Sequence, residues 1–280
     1  MNMEKQLLVT NDALLLELLK QRAKQARLWI LDMISVANSS HIGSAYSIVD
    51  ILVTLYSQFD IDSIAKQVYP RDIFMLSKGH AAAALYAAQA TVGLIPVEAL
   101  KTFYKDNSVL AGHPIRHAFP GIEASTGSLG HALSLGVGMA LALKKDGHPN
   151  KVFVLLGDGE CQEGSIWEAL AMATRFHLDN LVIYIDYNNL QGLDQTEDIT
   201  GKDLSKRLAA FGAKVQEIDG HNYSEILQSM NNCVLGVPNA IIAHTIKGKG
   251  VPFMENKLEW HYKCPRGDLY EQAKKALGES

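Results

Sequence analysis

Two short apolar runs constrain this chain more than any other feature. Lys151-Val152-Phe153-Val154-Leu155-Leu156 is stopped by Gly157-Asp158-Gly159-Glu160, and Leu181-Val182-Ile183-Tyr184-Ile185 is followed by Asp186-Tyr187-Asn188-Asn189. Each run is too short for a buried helix, rich in strand formers and, from Val152 and from Leu181 on, without a charged residue, which predicts strands covered on both faces, as in a parallel sheet. Between them, Glu163–His177 has helical spacing. A right-handed crossover through that helix brings both polar loops to the same edge of the sheet. In such sheets ligands bind beyond the carboxyl ends of the strands.

The rest of the chain extends the alternation. Asn11 to Val36 carries Leu14, Leu15, Leu18, Leu19, Ala26, Trp29, Ile30 and Met33 at helical spacing, which predicts a long amphipathic helix with Asn11 or Asp12 as its cap. Further helices are expected at Ile48–Ser57, at Ala81–Thr91 and from about Leu129 to Lys144, and further strands at Asp72–Leu76, Ala213–Ile218 and Ala240–His244. The expected fold is α/β: a parallel sheet between two helical layers. No linker, repeat or low-complexity tract breaks the 280 residues, so one domain is expected.

Composition removes several functions. A net charge of −4 and no block of five basic residues leave no field for nucleic acid or an anionic membrane. The most apolar stretch, Leu133 to Leu143, is too short and too glycine-interrupted to span a bilayer, and the N-terminus lacks a signal pattern; a cytoplasmic protein is expected. Cys161, Cys233 and Cys264 fit neither a zinc ribbon nor a disulfide framework and read as reduced thiols.

At the sheet edge, the Asp158 carboxylate and the Asn188 amide oxygen would face each other. Hard oxygen donors without a carboxylate cage suit Mg²⁺ shared with a ligand's phosphates, and Gly157 and Gly159 let backbone approach closely. Gly-Asp-Gly alone is ordinary turn chemistry. The strand before it, the helix after it, and the second strand ending in Asn are what a plain turn leaves unexplained.

With that spacing the sequence resembles the thiamine-diphosphate enzymes, whose signature is Gly-Asp-Gly followed some thirty residues later by Asn-Asn, and so implies their three-layer diphosphate-binding (PP-type) fold. Further segments, from about Arg27 to Pro265, narrow the resemblance to transketolases: Asn38-Ser39-Ser40-His41-Ile42-Gly43, Leu76-Ser77-Lys78-Gly79-His80-Ala81, Gly112-His113-Pro114, Ser125-Thr126-Gly127-Ser128-Leu129-Gly130, Thr245-Ile246-Lys247-Gly248-Lys249-Gly250 and Trp260-His261. The resemblance implies that Asp158, Asn188 and the Leu190 carbonyl hold Mg²⁺. It implies that His80, Gly127, Leu129, Gly157, Gly159, Glu160, Lys247 and His261 meet thiamine diphosphate, and that His41, His113 and His261 meet the sugar and exchange its protons. Glu163 and Glu168 match carboxylates that face each other across a subunit interface in the family; a solvated helix face is the plainer alternative. His117, His148, His177 and His221 are assigned to structure, and His131 stands where relatives usually have Gln.

The family's second half, with the pyrimidine-activating Glu and the C-terminal domain, has no counterpart in this sequence. The resemblance therefore implies a split enzyme, with a partner subunit completing the site, an α₂β₂ assembly and two-carbon ketol transfer between sugar phosphates. A deoxyxylulose-phosphate synthase, another thiamine-diphosphate lyase and a non-catalytic relative are the alternatives, and the His-Ile-Gly and Gly-His-Pro segments favour sugars. No Gly-x-Gly-x-x-Gly opens a helix after a strand, which disfavours a nicotinamide dehydrogenase.

Overall fold

The computed structural model describes the backbone of residues 3–278, and the side chains from residue 13 onward except that of Thr200. Among the described residues, five strands form one sheet: β1 (Ile73–Leu76), β2 (Val152–Gly157), β3 (Leu181–Tyr187), β4 (Lys214–Asp219) and β5 (Asn239–His244). All pair in parallel, in the order β1-β2-β3-β5-β4.

Successive side chains of β2 explain the unbroken apolar runs. Phe153 and Leu155 enter one core with the helices Met3–Ala37, Val49–Gln58 and Ala82–Thr91. Val152, Val154 and Leu156 enter another with His131–Lys145 and Gly164–Arg175. A strand alternates its side chains between faces, so two covered faces demand apolar residues at every position. β4 lies at the sheet edge and is half-exposed, matching its mixed Lys-Val-Gln-Glu-Ile-Asp sequence.

The expected elements form, with shifted ends. The first helix runs Met3–Ala37, so the backbone at Asn11 and Asp12 is helical and neither residue caps it. No Gly or Pro interrupts residues 3–12, and their helix formers carry the element back past the expected cap. The glycine-rich helix starts at His131, not Leu129, because Gly130 adopts φ 82° as its cap. Glu163 is extended, so the helix expected from Glu163 begins at Gly164 and ends at Arg175.

Candidate functional site

The carboxyl ends of β1, β2 and β3 open into one cleft of about 380 Å³. Every residue expected at the site lines it: His41, His80, His113, Gly127, Leu129, Gly157, Asp158, Gly159, Glu160, Glu163, Asn188, Leu190, Lys247 and His261. Ser44, Lys78, Gln162, Gln191 and Gly192 also line it and were not singled out from sequence. His131, Glu168 and Lys249 are not among the lining residues.

Asp158 follows β2 and Asn188 follows β3, and both are buried. Asp158 Oδ1 accepts from the Gly159 N–H at 2.8 Å and Oδ2 from Thr196 Oγ1 at 3.0 Å. Burial, and then the nearby Asp186 charge, push the Asp158 carboxyl up to about 6. The Asn188 amide has one orientation: Nδ2 donates to Asp186 Oδ2 at 2.9 Å, and a carboxylate only accepts. Its Oδ1 is thereby held as the free-facing acceptor, bonded at 3.1 Å to the Leu190 N–H with lone-pair capacity to spare.

Beneath these lies a buried ion pair that sequence gave no reason to expect. Lys78 Nζ meets Asp186 Oδ2 at 2.5 Å, and the two side chains are 2% and 0% exposed. Asp186 also accepts from Ser47 Oγ at 2.7 Å and from Thr245 Oγ1, while Lys78 donates to the Ser44 carbonyl at 3.1 Å. Burial pushes the Asp186 carboxyl up, but Lys78 and the hydroxyl donors outweigh it and hold it below the usual range.

Lys247 is the second buried ammonium. Its Nζ lies 2.9 Å from the Leu190 carbonyl, 3.4 Å from the Gln191 carbonyl and 3.0 Å from His261 Nδ1. Burial first, and then Lys78, lower it to about 8. An ammonium only donates, so His261 Nδ1 accepts and the ring's proton sits on Nε2. Three imidazoles cluster here, with His41 5.1 Å from His80 and 5.0 Å from His261 between ring centres. Burial lowers all three: His41 to about 4, helped by His113 and Lys247, His261 to about 3, helped by Lys247 and His41, and His80 well below its ordinary value. At neutral pH they are uncharged hydrogen-bonding groups.

Glu160 ties three loops together. It accepts from Ser77 Oγ, from the Gly130 N–H at 2.8 Å and from the Gly157 N–H at 3.0 Å. Gly79 is the contact between the β1 loop and the Thr126–Gly127 loop: a Cβ there would lie 2.8 Å from the Gly127 nitrogen and the Thr126 carbonyl. Only a residue without a side chain permits that approach. His113 is exposed against Gly127, and Glu163 is exposed against Gly130.

A family profile described as the transketolase, thiamine diphosphate binding domain matches residues 19–280. This chain belongs to that family. Its relatives include an apulose-4-phosphate transketolase subunit from Actinobacillus succinogenes, 41% identical over 92% of this chain and 94% of that one. A 6-deoxy-6-sulfo-D-fructose transketolase subunit of a Clostridium species is 40% identical over 87% of this chain and 90% of its own length. Human transketolase is 38% identical, but this chain spans only 41% of it. The transketolase of Campylobacter jejuni superposes with a TM-score of 0.85 at 29% identity, over 94% of this chain and 43% of that one. The α/β sheet and its flanking helices are therefore those of the transketolase thiamine-diphosphate-binding domain. Among the described residues of this transketolase-family chain, no helix is long and apolar enough to cross a membrane.

Proposed function

We propose that this chain is the cofactor-holding subunit of a two-chain transketolase, a single domain that binds the diphosphate of thiamine diphosphate through Mg²⁺ while a partner subunit supplies the pyrimidine-activating Glu and the C-terminal domain. The observation that carries this is the donor set at the ends of β2 and β3. Asp158, the fixed Asn188 Oδ1 and the Leu190 carbonyl offer three hard oxygens within one cleft. Among the described residues no group of three His, Cys, Asp or Glu is disposed to hold a metal, so a cation here relies on mixed oxygen donors and the ligand's own phosphates. That suits Mg²⁺. A carboxyl raised by burial gains from a cation that restores its charge.

The rest of the cleft fits an anion. Lys247 is buried without a carboxylate hydrogen-bond partner, and His80 stands on the Gly79–Ala81 turn just before the helix Ala82–Thr91, at the positive end of its dipole. Gly127, Leu129, Gly157, Gly159 and Glu160 shape the walls around that space. When bound, thiamine diphosphate supplies the electron sink for a two-carbon ketol fragment. His261 presents its Nε2–H, and His41 and His113 present uncommitted imidazole atoms, as hydrogen-bond partners for sugar hydroxyls and as proton carriers. Glu163, exposed at the rim, is assigned to a contact with a second copy, which an α₂β₂ assembly requires.

Relatives of matching length are named as subunits for two different sugars, apulose 4-phosphate and 6-deoxy-6-sulfo-D-fructose, so a panel of ketose donors is the right assay. The chain is to be tagged, purified gently from its native cell with whatever accompanies it, and assayed for thiamine diphosphate, Mg²⁺ and ketol transfer to an aldose phosphate. Co-purification of a partner and cofactor with ketol transfer is expected. Pyruvate decarboxylation in place of ketol transfer would point to a different thiamine-diphosphate enzyme, and a chain that takes up no supplied thiamine diphosphate and Mg²⁺ even together with the subunits that accompany it would overturn the proposal. His261→Ala should reduce turnover while leaving cofactor bound; loss of all cofactor would remove the role given to His261.

A further inference from the structure

Behind the cleft, on the side away from the proposed ligand, lies a buried polar cluster with no part in the chemistry above. Asp50, on the helix Val49–Gln58, is 3% exposed and accepts from Arg27 Nη1 at 3.0 Å, Arg27 Nη2 at 2.6 Å and the Tyr223 hydroxyl at 2.8 Å. His221 Nδ1 lies 2.7 Å from the same carboxylate. The other ring nitrogen, Nε2, lies 2.8 Å from the backbone nitrogen of Ile246, whose N–H points at it. Arg27 reaches the same loop with its remaining nitrogen, Nε donating to the Lys249 carbonyl at 3.1 Å.

These contacts fix the His221 tautomer twice over. A backbone N–H can only donate, so Nε2 must accept; a carboxylate can only accept, so Nδ1 must carry the proton. With the tautomer reversed, two donors would meet at Ile246. The group that benefits is the next residue in sequence. Lys247 sends its ammonium through the loop to Leu190, Gln191 and His261, and His221 shares the support of this backbone with the Asn256 N–H at the Lys247 carbonyl, the Gly248 N–H at the Gly43 carbonyl and Arg27 Nε at the Lys249 carbonyl.

We infer that His221, oriented by Asp50, is a positioning residue: it holds the backbone at Ile246 so that Lys247 stands where an entering diphosphate meets it. This rests on the proposed function only for the identity of the ligand. Residues arranged behind a charge-bearing ligand group set that group's position, and their loss costs binding about tenfold or more.

The test is a double-mutant cycle on the full chain with its partner subunit, titrated with thiamine diphosphate and Mg²⁺ by calorimetry. His221→Asn keeps a donor at the Nδ1 position for Asp50 but cannot reach Ile246, and should weaken binding about tenfold. His221→Gln restores an acceptor at the Nε2 position and should recover affinity to within about threefold of wild type. Lys247→Met should weaken binding at least as much as His221→Asn, and adding His221→Asn to it should change affinity less than about twofold, because the two act as one unit. A purely structural role gives the same loss in both backgrounds, and that result, or unchanged affinity in His221→Asn, overturns the inference. If wild type itself binds no thiamine diphosphate, it is the proposed function that fails. A measurement independent of variants is the nitrogen-15 spectrum of His221, which should show the proton on Nδ1; a proton on Nε2 overturns the inference even where His221→Asn does not fold.

Discussion

Replacing Lys78 by Met isolates the energetics of the cleft floor. The side chain is 2% exposed and its ammonium faces Asp186, which is fully buried. Met fills nearly the same volume, so packing changes little and the loss is the charge. Removing one partner of a buried ion pair costs about 3–5 kcal/mol, because the remaining charge is left desolvated. Asp186 still receives Ser47, Thr245 and the Asn188 amide, which offset part of that and set the expected loss near the lower bound, about 3 kcal/mol. At about 2–4 °C per kcal/mol for a chain of this size, the apoprotein midpoint should fall by about 6–12 °C. Asp186→Asn alone strands the ammonium and should cost a similar amount. The double variant removes both charges and should lose at least about 2 kcal/mol less than the sum of the single losses. Urea and thermal unfolding of the cofactor-free chain read all four proteins. A Lys78→Met midpoint within about 2 °C of wild type, or a double variant that simply adds the single losses, would refute the reasoning.

On the proposed function, Asp158 should make cofactor capture proton-linked. Its folded value is raised to about 6, so the acid form contributes stability that is present below the ordinary carboxylate range and lost as pH rises through about 6. A bound divalent cation needs the charged form, so Mg²⁺-dependent affinity should fall as pH drops below about 6, with proton release on binding near pH 6; calorimetry in buffers of different ionisation enthalpy checks this, and zero proton release there would contradict it. Gly79→Ala drives a methyl group against the Thr126–Gly127 backbone and should cost about 1–3 kcal/mol in urea unfolding, together with measurable loss of thiamine diphosphate affinity. Glu160→Gln places an amide donor against the N–H of Gly157 or Gly130 and should cost about 1–3 kcal/mol, read as a lower thermal midpoint of the apoprotein.

Much of the fold was legible because burial on both faces of a parallel sheet leaves an unmistakable mark: Val152–Leu156 of β2 and Leu181–Ile185 of β3 are runs of buried strand formers, and each strand leads into the loop with the candidate site residues. Helix ends were less legible. The first helix runs past Asn11 and Asp12 because a capping residue type does not stop a helix whose preceding residues also favour one. Fourteen of the lining residues fall in or beside motifs legible in the sequence, yet Ser44, Gln162, Gln191, Gly192 and the Lys78–Asp186 pair at the cleft floor were not singled out. Lys78 lies inside the Leu76–Ala81 motif and Asp186 two residues before Asn188, but burying a lysine depends on a partner 108 residues away, and local pattern carries no signal of that pairing. The orientation of Asn188 was hidden for the same reason, since Asp186 decides it. His221 reads from sequence as a structural histidine, and its bonds to Asp50 and the Ile246 N–H carry no local signal.

The parallel sheet also dictates when the cleft comes into being. No two neighbouring strands can be joined by a hairpin, so every pairing waits for a crossover to close, and the chain must collapse over long loops before its contacts reward it. The cleft draws on Ser44 near one end and His261 near the other, with β1, β2 and β3 between. It therefore needs β1, β2 and β3 in register before its lining residues meet. On the proposed function, ligand capture should then serve as a clock for a late stage of folding, since a nascent or nicked chain can form its local helices before these distant segments meet.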